Sequence, residues 1–583
     1  MTRRFEIVPS IGISRLGDSP DSYMIGPEKA NALPLEPDGT TPVRTFRDDN
    51  GRMRRQAARF RVFVFDDANP DGRPVDLGAD AIKEIRWSVH VANKKAIWYQ
   101  FDNIVGRGGH YPADAKKRNP QWKTDARRIR AIIDPGPRTL TGAGQKVSFD
   151  AASAPGGYAA TFPPALHPKS VTTLGNALTK GADELLVLGG HGCSGSEKTP
   201  KISSYANNDY WFDDTSDGTV DAEIILESGE TLQARGAWVI AAPPKYAPEI
   251  PNVITLYDVM TDVAARALGA WPGLFDDGGF NPAFMPAFDR DIQPILAAAG
   301  MQDWVAKAPT GTVPPIKDGY VDLSGIPDSA HLMVMDRLGD PDPAYNADRQ
   351  RIFNILRAAD QPQQFLAERH YAMPMLAGND PFQNDGKDAT EPFAVLTPTQ
   401  YSMLGQWAAG KFTATGPKAG GAAAVTEGVL RNCVGGPFCP GIEMTWISFN
   451  AGMYDAPYHI RRAPVTAPLS LGGEPQDGSQ PGDLTKRMAL PWQADFNECS
   501  VQEIALDNAG DLRKAQVLWW PAQRPYRVNV TTAEGGTAIK PWSRGVSDDL
   551  AMVTAWAGLG FVTNSDPVVP FYQETERTLK DGD

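Results

Sequence analysis

The stretch "RFRVFVFDD" at residues 59–67 alternates polar with apolar side chains. Successive residues of a strand face opposite ways, so this period of two predicts a half-buried β-strand. "EIRWSVHVANKKAIW" (84–98) opens with the same alternation. "DELLVLGGHGCSGS" (183–196) is a short apolar run entering a glycine loop, and "GTVDAEIILESGE" (218–230) with "GAWVIAAPP" (236–244) reads as a further strand pair. The beginning of the chain is therefore expected to be built from strands and turns.

The period then changes. "LYDVMTDVAARALGAW" (256–271) and "DRQRIFNILRAA" (348–359) carry apolar residues at helical spacing. In "TPTQYSMLGQWAAG" (397–410), Thr397 suits an N-cap, Pro398 the first helical position and Gly410 the end. A last helix is expected in "SDDLAMVTAWAGLGFV" (547–562), capped by Ser547, with Asp548 and Asp549 at the positive end of the dipole and Gly560 closing it. "GGEPQDGSQPGD" (472–483) is a loop by its turn residues. The expected fold class is α+β: a strand-rich region over 1–250, a mainly helical region over 251–420 and a loop-rich region over 421–583. No repeat and no sharp linker separates them.

The 583 residues exceed one compact core, and 56 Gly with 50 Pro favour loops and short strands over a helical bundle. The net charge of −13 disfavours nucleic acid and anionic lipid. The basic stretch "KKRNPQWKTDARRIR" (116–130) reads as a solvated face or an interface. No run of about 18 apolar residues suggests a membrane span. "MTRRFEIVPSIG" has no signal-peptide core. Four cysteines are too few for a disulfide scaffold. A cytoplasmic location is expected, with export that needs no N-terminal signal left open.

Several familiar chemistries fail on spacing. "LGGHGCSGS" has neither the Gly-Lys-Ser/Thr of a phosphate loop nor G-x-S-x-G, so it reads as a tight turn or a packing element. Cys433 and Cys439 are separated by five intervening residues without paired histidines, and no metal site is expected. "RNCVGGPFCPGIEMTW" (431–446) is a glycine- and proline-rich loop that either lines a site or only turns. In "PWQADFNEC" (491–499), helical spacing would put Asp495 and Cys499 on one face. A carboxylate beside a thiol suppresses the thiolate, which argues against a cysteine nucleophile. A buried thiol is the ordinary reading. The pair makes more sense if the sulfur carries a group for which Asp495 moves protons.

Five stretches in order, "IVPSIGISRLGDSPDSYMIGPE" (7–28), "NDYWFDDTSDGTVDAEI" (208–224), "NCVGGPFCPGIE" (432–443), "PGDLTKRMALPWQADFNEC" (481–499) and "MVTAWAGLGFV" (552–562), resemble the bacterial lysine ε-oxidase and glycine oxidase family. The resemblance implies a cysteine tryptophylquinone made from the chain's own side chains. Cys499 would supply the thioether and Trp556 the ring. Trp492 is nearer in sequence but lies in the "PWQADF" signature, and Trp542 is a weaker rival. Asp495 matches the family's active-site acid, implicated in cofactor maturation and proton abstraction. Phe212 matches a substrate-pocket aromatic that is Phe in glycine-specific members and Tyr in the lysine oxidase. Cys433 or Cys439 would lie near the quinone, and Lys514 or Arg513 would match a pocket lysine. The Tyr-His pair that glycine-oxidising members present from a neighbouring subunit has no match.

The implied activity is oxidative deamination of a small primary amine or amino acid, glycine favoured by Phe212. Dioxygen would be the acceptor, and the products an aldehyde or oxo acid, ammonia and hydrogen peroxide. The alternatives are an L-lysine 6-oxidase, a quinone-free binding or scaffold homologue, and an enzyme acting on a peptide or natural-product amine. A separate flavoprotein for maturation and a homo-oligomeric state are further expectations from the resemblance.

Overall fold

The computed structural model describes residues 3–101, 109–158, 162–163, 167–276, 279–306, 335–359, 376, 394–435, 442–497, 521–566 and 568–581, together with the backbone at 502–503, 506–508, 511–513 and 517–518. Sixteen strands precede residue 243: β1 (Arg4–Val8), β2 (Ile11–Arg15), β3 (Tyr23–Ile25), β4 (Arg55–Phe65), β5 (Arg73–Pro74), β6 (Ile82–Ala92), β7 (Arg138–Thr141), β8 (Lys146–Asp150), β9 (His167–Pro168), β10 (Thr173–Gly181), β11 (Glu184–Leu188), β12 (Ser194–Ser196), β13 (Trp211–Asp213), β14 (Ser216–Leu226), β15 (Thr231–Gln233) and β16 (Ala237–Ala242).

Thirteen of them form one sheet in the order β7-β6-β14-β16-β2-β4-β11-β10-β8, with β1, β3 and β5 also on β4 and β15 on β14. Most pairings are antiparallel; β2 with β16 and β3 with β4 are parallel. The expected pair at 218–230 and 236–244 is β14 against β16, registering Ser216 with Ala241. The path begins and ends on strands that are neighbours in sequence. Arg138 on β7 donates to the Ser148 and Asp150 carbonyls on β8, at 2.9 and 3.1 Å. The sheet thus curls until its two ends nearly meet, which covers edges that would otherwise template aggregation.

Strand β4 departs from the half-buried expectation. Phe60, Val62 and Val64 enter a core with Trp87, Val89, Leu185, Trp211 and Phe212. Phe63 and Phe65 on the other face pack with Val8 and Ala422, under the helix Gly421–Leu430. Both faces are covered, so almost the whole strand is buried. Each such side chain contributes roughly 1.5–3 kcal/mol. A second core joins β2 and β16, through Ile11, Ile13, Trp238 and Ile240, to residues as late as Tyr572.

The helix predicted over 397–410 is capped as expected. Thr397 forms a capping box with Gln400, Pro398 opens the helix Pro398–Ala408, and Gly410 adopts φ +74°. Thr255 makes the same box with Asp258 before Leu256–Ala267. The helix expected over 348–359 spans Asn346–Asn354. The last helix is shorter than expected, Asp549–Ala555. Its cap is Asp548, which accepts the Ala551 N–H at 2.7 Å, while Ser547 donates only to Asp548. A charged acceptor complements the helix dipole better than a hydroxyl. The chain then makes one tight turn through Trp556–Gly558 and enters the strand Phe561–Asn564.

The basic stretch 116–130 is not simply a solvated face. Arg118 and Arg128 are buried. Arg118 donates to the Met488 carbonyl at 2.8 Å, and Arg128 to the Ile97 and Asn119 carbonyls at 2.9 and 3.0 Å. A guanidinium serves several carbonyls at once, which composition does not reveal. Among the described residues, no helix is long and apolar enough to cross a membrane.

Candidate active site

Asp495 lies on the helix Trp492–Asn497, buried with 4% of its surface exposed. Two stretches that are distant in sequence hold this helix. From the segment 208–217, Asn208 donates to the Leu490 carbonyl at 3.0 Å. Asp213 accepts the Trp492 N–H at 3.2 Å and is ion-paired to the fully buried Lys95 at 2.7 Å. Asp217 accepts the Thr485 N–H at 2.8 Å and its hydroxyl at 2.6 Å. Asp483 in turn binds Lys94 and Lys486, each at 2.9 Å. Burial alone would raise Asp483, but the two ammonium groups hold it at about 2. The segments 208–217 and 483–492 are therefore one buried polar web at the start of the helix that bears Asp495.

The helix docks on Asp549–Ala555. Its far end is tied through Asn497, which donates to Asp549 at 2.6 Å. Its near end meets Trp556, the Trp492 and Trp556 rings standing 5.2 Å apart at 69°. Trp556 is 1% exposed, and its carbonyl accepts the buried Tyr246 hydroxyl at 2.6 Å. The Trp492 indole N–H is buried and has no hydrogen-bond partner among the described residues. Trp542 is engaged otherwise, donating to the Gly560 carbonyl at 2.8 Å and packing on Tyr246.

Asp495, Trp492 and Trp556 thus share one buried neighbourhood. Cys499, Cys439 and Lys514 lie outside the described residues, as does the side chain of Arg513. Phe212 is buried in the strand core. Its ring stacks on Trp122 at 6.3 Å within the strand core, and it faces away from Asp213 along β13. Cys433 is buried and donates to the Val429 carbonyl at 3.4 Å. Burial first, and then Glu443, push its thiol far up, which disfavours the thiolate. Glu443 pairs with Arg15 at 2.6 Å and accepts the Val434 N–H at 3.0 Å, which ties the stretches 7–28 and 432–443 together. No group of His, Cys, Asp and Glu able to hold a metal occurs among the described residues.

The reading of single motifs missed the supports. Gln493 is a polar residue inside an apolar stretch, which is the available signal for a buried hydrogen-bonded role, whereas Asp213 and Asp217 lie in the polar run 213–217 and carry no such signal. Asp214, beside them, is 1% exposed. Burial, opposed by the Cys193 N–H and reinforced by Asp213, raises its carboxyl to about 7. The folded chain then holds one more proton than the unfolded chain between about pH 4 and 7. Stability accordingly falls as pH rises through that window, with a slope of about 1.4 kcal/mol per pH unit for one proton. Urea unfolding of Asp214→Asn is expected to show a shallower fall between pH 5 and 7 than the wild type. Equal slopes would contradict a proton on Asp214.

Known proteins place the chain among oxidoreductases acting on the CH–NH2 group of amines and amino acids. The model of the L-lysine ε-oxidase N-terminal domain matches residues 8–241, and that of the C-terminal domain matches 377–520. The L-lysine 6-oxidase of Marinomonas mediterranea is 30% identical, over 98% of this chain and 89% of its own. Solved structures of the L-Lys ε-oxidase from the same organism superpose with TM-scores of 0.83 and 0.85, at 29% identity and with 95% of their chain covered. A third, of its Schiff base intermediate with L-Lys, gives 0.82. The chain belongs to the L-lysine ε-oxidase family.

Proposed function

We propose that the chain is a quinoprotein oxidase whose cofactor is a cysteine tryptophylquinone formed between Cys499 and Trp556. The observation that carries this reading is the juxtaposition of buried Trp556 with the helix that bears Asp495 and leads, two residues beyond Asn497, to Cys499. The residues fit such a group. The unsatisfied Trp492 N–H lies on a ring in contact with Trp556, and a buried donor without an acceptor costs about 1–3 kcal/mol unless a partner is supplied. When formed, the cofactor supplies a carbonyl electrophile that the twenty ordinary side chains lack. Its formation gains two oxygens and loses four hydrogens, which balances the reduction of two dioxygen molecules with release of two waters. A flavoprotein partner is proposed to direct that chemistry.

The chain's own residues provide the rest. Asp495 takes the proton from the substrate carbon, held in place by a helix anchored through Asp213 and Asp217. The buried setting excludes water from that proton transfer. Dioxygen is the acceptor, and ammonia and hydrogen peroxide are released. We take the ε-amino group of L-lysine as the substrate. The relatives support it over glycine, since the glycine preference rests on Phe212 alone, whose ring is spent on Trp122.

Protein purified with its native gene neighbours tests this. Peroxide release from L-lysine is expected to exceed that from glycine by at least about tenfold in kcat/KM. A quinone-bearing preparation that prefers glycine would reverse the substrate assignment. One that oxidises neither would favour a peptide or natural-product amine.

A further inference from the structure

The loop that follows β11, "GGHGC" at 189–193, presses on Trp556. A β-carbon at Gly192 would stand less than 3.0 Å from Cζ2, Cη2 and Cε2 of that indole, and Gly192 has φ +70°, where L side chains are strained. The loop is fastened from two sides. Gln493, fully buried on the helix of Asp495, donates its amide to the Gly192 carbonyl at 3.0 Å and accepts the Ser194 hydroxyl at 2.7 Å. Asp214 accepts the Cys193 N–H at 2.9 Å, and its carboxyl group approaches Gly190 so closely that a β-carbon there would also stand less than 3.0 Å away.

We propose that this loop is the wall that holds the benzenoid end of Trp556 in register for oxidative modification. Gly192 makes a contact open only to glycine, and Gln493 and Asp214 are positioning residues that act through the loop. The inference rests on the quinone reading above. It gives a task to a stretch whose spacing fits neither a phosphate loop nor a nucleophile elbow. The physical requirement is strict: oxygen must be delivered to particular ring carbons while the sulfur of Cys499 reaches another. Gln493 couples the two demands, because one side chain bridges the helix leading to Cys499 and the backbone that touches the ring. The two bonds made by Gln493 are both buried, so the loop has no water to fall back on when they are lost.

Gly192→Ala, Gln493→Leu and Gln493→Glu chains, each made with the native gene neighbours, test the proposal. Peptide mass spectrometry reads the fraction of Trp556 that is oxygenated and crosslinked. Visible absorbance reads the quinone band, while circular dichroism and thermal melting read the fold. Gly192→Ala is expected to lower the modified fraction by at least about tenfold, the scale of a misplacement of roughly 1 Å. Gln493→Leu should lower it several-fold and shift the band of the protein that does mature. Gln493→Glu, which still accepts from Ser194, should recover part of it. If Gly192→Ala does not fold, the Gln493 pair decides. Folded variants with wild-type occupancy and an unshifted band would overturn the proposal. A wild-type chain without any modification at Trp556 would overturn the quinone reading and this inference together.

Discussion

Asp495→Asn is expected to yield a folded protein that oxidises amine at least about a hundredfold more slowly, since a positioned general base contributes roughly 10²–10⁴. The substitution keeps the shape of a side chain buried on the helix Trp492–Asn497 and removes only its basicity. Two measurements separate the two roles proposed for it. The modified fraction of Trp556, read by mass, reports maturation. The rate per quinone, read by peroxide release, reports proton abstraction. A rate per quinone equal to the wild type would remove Asp495 from catalysis, whatever happens to maturation.

Trp556→Phe is expected to abolish peroxide release and the quinone absorbance altogether, because no other ring takes its place. Its folding cost is that of a large-to-small core change, about 1–3 kcal/mol by analogy with such truncations. The Tyr246 bond to the backbone carbonyl at 556 survives it. The informative companion is Trp492→Phe. Trp492 lies nearer to Cys499 in sequence and touches Trp556 in space. If the crosslink forms at Trp556, the Trp492→Phe chain still shows it there. A quinone that persists in Trp556→Phe and vanishes in Trp492→Phe would exchange their parts.

Local structure was legible where local chemistry decides it. Thr397, Pro398 and Gly410 bound their helix because a hydroxyl cap, a preset φ and a left-handed turn act within a few residues. The last helix was misjudged because Asp548 and Ser547 compete for one cap and only geometry separates them. The sheet was legible as strands but not as an order: β2 beside β16 joins Ile11–Arg15 to Ala237–Ala242, a pairing between distant segments that periodicity does not encode. Buried arginines were misread for a related reason. Arg118 resembles a surface charge until the carbonyls it serves are placed around it.

The site follows the same division. Asp495 and Trp556 were singled out by family resemblance, and the fold brings their segments together. What holds them there was hidden, since Asp213 meets Trp492 across 279 residues and Gln493 meets Gly192 across 301. Phe212 sits in a recognisable motif, and its ring stacks on Trp122 within the strand core.

The activity proposed for the chain depends on the proposed covalent bond between Cys499 and Trp556. Tryptic mass spectrometry of protein made with its native gene neighbours measures it directly. The expected species joins the Cys499 and Trp556 peptides with two oxygens gained and four hydrogens lost. Separate, unoxidised Cys499 and Trp556 peptides from that preparation would contradict it.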